Sequence, residues 1–124
     1  MSGLKYLLDT NFILGMMKSD PSVLSLLATE GILAAECAYS AITRMELLGY
    51  PGITAEEAAA VQTRLGLLTY LAVAGDVEDA AIALRRLRKV KLPDAIIAAT
   101  ANCRGLELLT LDLGLRSISR GLTS

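Results

Sequence analysis

Residues 6–11 read YLLDTN, a short apolar run that ends on an acid and then turns polar. The pattern suits a buried strand feeding a helix, because Asp9 or Thr10 can accept a hydrogen bond from the free amides at the start of NFILGMM. The same carboxylate at the end of a strand can instead present an oxygen ligand to a metal ion. Which role Asp9 plays depends on what the rest of the chain brings to it.

Beyond this stretch, apolar runs alternate with helical patterns, the rhythm of a parallel sheet covered by helices. Strands are expected near Lys5 to Leu8, Cys37 to Ser40, Leu71 to Val73 and Glu107 to Leu111, with a further short one near Ser117 to Ser119. Asp20 followed by Pro21 opens a helix that should end near Gly31. Thr54 and Glu57 have capping-box spacing ahead of Ala58, Val61, Leu65 and Leu68. Asp76 is placed to cap the next helix, with Val77, Ala81 and Leu84 inward and Arg85, Arg86 and Lys89 outward. Pro93 should stop that helix and open another, from Asp94 to about Cys103, closed by Gly105. No repeat or long linker divides the chain, so residues 1–124 read as one α/β domain with a central, mainly parallel sheet.

Composition narrows the function classes. The chain has 124 residues, 53% hydrophobic, with no Trp and one Phe, so its core is aliphatic. Such a surplus of aliphatic surface suggests burial against a partner. No apolar stretch reaches the ~18 residues of a membrane span, and MSGLKYLL is too short for a signal peptide, so a cytoplasmic protein is expected. Cys37 and Cys103 have no paired spacing and read as buried, reduced thiols. The absence of histidine removes Ser-His-Asp and Cys-His triads, imidazole-based RNA cleavage and the usual His-rich zinc sites.

Four carboxylates fall at corresponding places in the alternation: Asp9, Glu46, Asp94 and Asp112. Asp9 and Asp112 follow strands, Glu46 lies one turn into the helix after CAYS, and Asp94 opens IIAATA. In an open α/β sheet the carboxyl ends of the strands converge on one crevice. Each acid alone has a structural explanation: Asp9 as a cap, Asp94 as a dipole partner, Asp112 in an Asx-turn, Glu46 in a capping box begun by Thr43. Together they repel, by about 4 kcal/mol for two charges ~4 Å apart at an effective dielectric of 20. Protonation or a bound cation must relieve that, and oxygen ligands without nitrogen or sulfur suit Mg²⁺ or Mn²⁺.

LLDTNFIL, SAITRMELLG, LPDAIIAATA and LLTLDLGL, in this order and spacing, resemble the four acidic blocks of the PIN-domain family, above all its VapC-type toxins. The resemblance runs from Tyr6 to about Ile118. It implies a Rossmann-like sheet between helices and Mg²⁺- or Mn²⁺-dependent hydrolysis of single-stranded RNA. It also implies a homodimer and a cognate antitoxin partner. Carried over block by block, Asp9 and Asp94 are the principal metal ligands, Glu46 the third acid and Asp112 the fourth, with Asn11 and Thr110 as supporting polar residues. One departure stands out: where many relatives have an Asp-Phe pair, this chain has Leu115-Arg116, leaving Asp112 as the only acid of its block.

Arg85, Arg86, Arg88, Lys89 and Lys91 form the densest basic segment and lead to Asp94. They can meet substrate phosphates or be a solvated helix end. Competing readings are a non-catalytic PIN-like module that binds RNA or an antitoxin, and a two-component receiver domain. The receiver reading expects two acids after the first strand and one after the third, where Ala74-Gly75 stand here. An aspartyl phosphatase expects an Asp at the position of Asn11.

Overall fold

The computed structural model describes residues 3–123. Strand β1 is Tyr6–Leu8, followed by helices α1 (Thr10–Met17) and α2 (Pro21–Glu30). Strand β2 (Cys37–Ser40) leads to α3 (Ala41–Leu48) and α4 (Ala55–Leu65). Strand β3 (Thr69–Leu71) precedes α5 (Gly75–Leu87) and α6 (Leu92–Arg104), and β4 (Glu107–Leu109) precedes α7 (Leu113–Thr123).

The strands form one sheet in the order β3-β2-β1-β4, with every neighbouring pair parallel. Tyr6 faces Cys37 on one side and Glu107 on the other. The chain thus builds outward from β1 through β2 to β3, then returns to lay β4 on the other side of β1. Such a reversal opens a crevice at the carboxyl ends of the strands.

Alternating side chains send two cores to opposite faces of the sheet. Leu7, Ala38 and Leu108 pack with Val77, Ala81 and Leu84 of α5 and with the buried alanines of α6. Leu8, Cys37, Tyr39 and Leu109 pack with Phe12, Val23, Leu47 and Val61 from α1 to α4. Fully burying a residue of the Leu7 or Leu8 type is worth about 1.5–3 kcal/mol, and both are 0% exposed. Helix α6 carries almost no charge because its middle, from Ala95 to Ala101, lies against the sheet. Among the described residues no helix is long and apolar enough to cross a membrane.

Several local expectations change. Ser117 to Ser119 is not a strand but the middle of α7, where Leu115 and Ser119 turn inward at helical spacing. The third strand is Thr69–Leu71, two residues earlier than the apolar run suggests, because an edge strand pairing Tyr70 with Tyr39 needs no continuous apolar sequence. Tyr70 instead sets its ring against Tyr39 edge-on, with centroids 5.7 Å apart. Asp76 does not cap α5, whose N-cap is Ala74; its carboxylate takes Arg104 in two hydrogen bonds of 2.6 and 3.1 Å. That paired charge ties the start of α5 to the end of α6. Pro93 lies in the first turn of α6, but α5 has already ended at Leu87, so part of the basic stretch is a connection rather than helix. The cap of α3 is Ser40, not Thr43. Of the thiols, Cys37 is buried, which pushes its pKa up to about 11, while Cys103 is only half-buried. Gly31 and Gly105 do end α2 and α6, each left-handed at φ 62° and 65°.

Candidate active site

Helices α1, α3 and α7 begin at the carboxyl ends of their strands, and α6 begins at the same edge because it runs back toward the start of β4. Four helix N-termini therefore converge, each carrying partial positive charge and free amides. An acid at such a position can cap its helix and face the other acids.

Asp9 does both. Its Oδ1 accepts the Phe12 N–H at 2.7 Å as the N-cap of α1. Its Oδ2 accepts the Thr110 hydroxyl, and its own N–H donates to the Leu109 carbonyl at 3.2 Å across the sheet. Only 5% of Asp9 is exposed. Burial raises its pKa above the ordinary carboxylate value, the hydrogen bonds from Thr110 and Phe12 oppose the rise, and Asp94 and Asp112 add repulsion.

Thr110 is fully buried and links two acids: it donates to Asp9 and accepts the Asp112 N–H at 3.0 Å. The Asp112 carboxylate accepts the Leu115 N–H at 3.0 Å, capping α7. Asp94, in the first turn of α6, also has a raised pKa, first from burial and then from repulsion by Asp112 and Glu46, with Lys91 opposing. Glu46 is exposed on α3, and its Oε1 accepts the Thr10 hydroxyl at 2.6 Å. A threonine has one O–H, so the contact at 3.0 Å between Thr10 and the buried Thr43 is Thr43 donating while Thr10 donates to Glu46.

Asp9, Glu46 and Asp94 line one cleft with Thr10, Asn11 and Ile97. Its volume is about 100 Å³, room for a few waters at ~30 Å³ each or for a partly hydrated ion. Asp112 is not on its wall but is close enough to act on both Asp9 and Asp94. Among the described residues no three acids stand close enough to chelate one ion together. A pair of carboxylates with water completing the shell is how Mg²⁺ is ordinarily held, and the all-oxygen donor set with mutually repelling acids fits such a cation.

The sequence-derived set is thus brought together with one division. Asp9, Glu46, Asp94 and Asn11 share the cleft, while Asp112 and Thr110 support it from the turn between β4 and α7. The basic segment is separate: Arg85, Arg86, Arg88, Lys89 and Lys91 line another, larger concavity, and Lys91 is the cation of that segment felt by Asp94. Leu115, where the resemblance led to the expectation of an acid, is 5% exposed and belongs to the core. Thr10 and Thr43 are the residues that sequence reasoning assigned to caps; the i, i+3 spacing of Thr43 and Glu46 on one helix face was the available signal.

A family model described as PIN domain matches residues 6–121. Among solved structures, the chain is 30% identical to a chain of a toxin-antitoxin complex from Klebsiella pneumoniae, with 87% of each chain covered and a TM-score of 0.75. It is 26% identical to a chain of DNA-bound VapBC from Salmonella typhimurium, covering 92% of this chain and 91% of that one, TM-score 0.75. FitAcB from Neisseria gonorrhoeae shares the fold at 23% identity, 93% coverage of each chain and a TM-score of 0.75. No curated protein matches by sequence. The match over nearly the whole chain, on a parallel sheet whose carboxyl edge gathers acids, makes this protein a member of the PIN-domain family, of the VapC type.

Proposed function

We propose that the chain, one PIN domain over residues 1–124, is a metal-dependent endoribonuclease that hydrolyses phosphodiester bonds in single-stranded RNA as the toxin of a toxin-antitoxin module. The observation that carries this is the buried Asp9 facing Asp94 across a cleft that also holds Glu46, with the pKa of both aspartates raised first by burial and then by repulsion from neighbouring acids.

Asp9 and Asp94 would hold Mg²⁺ or Mn²⁺, with Glu46 and Asp112 as further acids. When bound, the cation supplies positive charge that polarises the scissile phosphate and favours ionisation of water. The chain's own groups do the rest. Thr110 and the Phe12 amide fix the Asp9 carboxylate, so its orientation does not depend on the ligand. Glu46, steered by Thr10, and Asp112, fixed by capping α7, are the two acceptors for the proton of the attacking water. Lys91, close to Asp94, meets a substrate phosphate, and Asn11 on the cleft wall offers its amide to ligands or water. The products are 5′-phosphate and 3′-hydroxyl ends.

The partners follow from similarity to chains solved in toxin-antitoxin complexes: an antitoxin protein, and a second copy in a homodimer that covers exposed aliphatic side chains such as Leu67 and Leu113. A cytoplasmic location accords with both. Calorimetric titration of Mn²⁺ into wild type and Asp94→Asn, beside cleavage of an end-labelled RNA with and without EDTA, tests the proposal. The expected result is metal-dependent cleavage that drops at least ~100-fold in the variant. Cleavage indifferent to EDTA overturns it, and Mn²⁺ binding without cleavage favours the non-catalytic module.

A further inference from the structure

A broad concavity lies between the outer face of α5, the 88–91 connection and the start of α6, and encloses about 920 Å³. Val73, Ala81, Ile82 and Ile96 make its apolar floor. Arg85, Arg86, Arg88, Lys89 and Lys91 surround that floor, with Glu78 the one acid lining the groove among the described residues. The wall is built in advance of any ligand, because the Arg85 Nε–H donates to the Val90 carbonyl at 3.2 Å and holds the connection against α5. Ile82 and Leu92 remain 49% and 50% exposed there, large aliphatic side chains with their hydration still to lose.

The chemistry of this groove discriminates among occupants. Single-stranded RNA would satisfy the cations, but its bases bind by stacking on aromatic faces, and no aromatic residue lines the groove. A second copy of the chain would bring the same cations toward their like, with Glu78 alone to offset them. An amphipathic helix with aliphatic residues at i, i+3 or i+4 and i+7 fills an apolar floor, and Asp or Glu beside those anchors meets a cationic rim.

We infer that this groove docks an acidic amphipathic helix of a partner protein, with Ile82 and Leu92 as apolar contacts and Arg86, Arg88 and Lys89 as charge partners. The inference does not depend on the nuclease proposal, and its test reads binding only. A helical peptide library displayed on phage is selected against the whole chain, and the enriched peptides are synthesised and titrated by fluorescence anisotropy. Enriched sequences should carry aliphatic residues at helical spacing flanked by Asp and Glu. Their affinity should fall at least ~10-fold for Ile82→Glu and for Arg86→Glu/Lys89→Glu, and stay within about twofold for Asp94→Asn. All the substituted groove positions are solvent-exposed, and far-UV circular dichroism verifies their folding. Enrichment of basic peptides, or of none sensitive to the groove variants, overturns the inference. So does loss of oligouridylate binding in Ile82→Glu, which assigns the groove to RNA, or conversion of a dimer to a monomer by that variant in sedimentation, which assigns it to a second copy.

Discussion

Thr110 occupies the position on which two of the acids depend. Its single hydroxyl donates to Asp9 and accepts from the Asp112 amide, and it is fully buried. Thr110→Val keeps the shape and removes both bonds, leaving a buried carboxylate oxygen and an amide short of partners; the expected cost is about 1–3 kcal/mol. Thr110→Ser, which keeps the hydroxyl, should lose clearly less, and urea unfolding of the two variants at neutral pH reads the difference. Asp94 gives a prediction of the opposite sign. Because its pKa is raised, the folded protein holds this proton more tightly than the unfolded chain does. Stability from this source is complete below the unfolded value of ~3.9 and is lost as the pH rises through the folded value. Asp94→Asn should therefore stabilise the metal-free protein at pH 7.5, by no more than about 1 kcal/mol given solvent screening, and the gain should shrink toward pH 4. Thermal melts in EDTA across that range decide it. At this scale the acids were legible because carboxylates after strands are visible in one sequence, whereas the threonine that aims Glu46 was not: Thr10 reaches it from 36 residues away.

Elements were legible where one face is buried and obscure where it is not. Strand β2 and the ends of α2 and α6 match their sequence signals, since Cys37 to Ser40 is buried on both faces and Gly31 and Gly105 adopt conformations that side chains resist. The exposed edge strand β3 was misplaced because edge pairing leaves weak periodicity, whereas Ser117 to Ser119 was read as a strand although the helical period of α7 is strong. The contact between α1 and α2 is set by a residue that periodicity does not report. Gly15 is buried, and a Cβ there would lie 2.7 Å from Val23 Cγ2, itself fully buried in the core. Gly15→Ala gains helix propensity of up to ~1 kcal/mol, but overpacking of this kind costs about 1–3 kcal/mol. The expected net effect is destabilisation, relieved in the double variant with Val23→Ala; a double-mutant cycle by denaturant unfolding measures that coupling. If the two losses simply add, the close approach does not limit the packing of these helices.

Taken as a whole, the molecule spends the polar edge of its sheet on repulsion. The N-termini of α1 and α7 and the Thr110 and Thr10 hydroxyls hold three of the acids, yet burial still leaves Asp9 and Asp94 disfavoured as anions. A divalent cation that binds only the folded state should therefore act as a stabiliser, by RT ln(1 + [L]/Kd), about 2.7 kcal/mol at a hundredfold excess over Kd. For a domain of this length that corresponds to a rise in Tm of roughly 6–16 °C. Mn²⁺ must displace protons from carboxylates whose affinity for protons is raised, so the rise should be larger at pH 7.5 than at pH 5. Asp9→Asn and Asp94→Asn should each abolish most of it, while Arg86→Glu, on the separate groove, should leave it unchanged. Differential scanning fluorimetry of wild type and the three variants with Mn²⁺, Mg²⁺ or EDTA is the measurement. An equal rise in Asp94→Asn would mean that the ion binds elsewhere, and that the converging acids are helix caps alone.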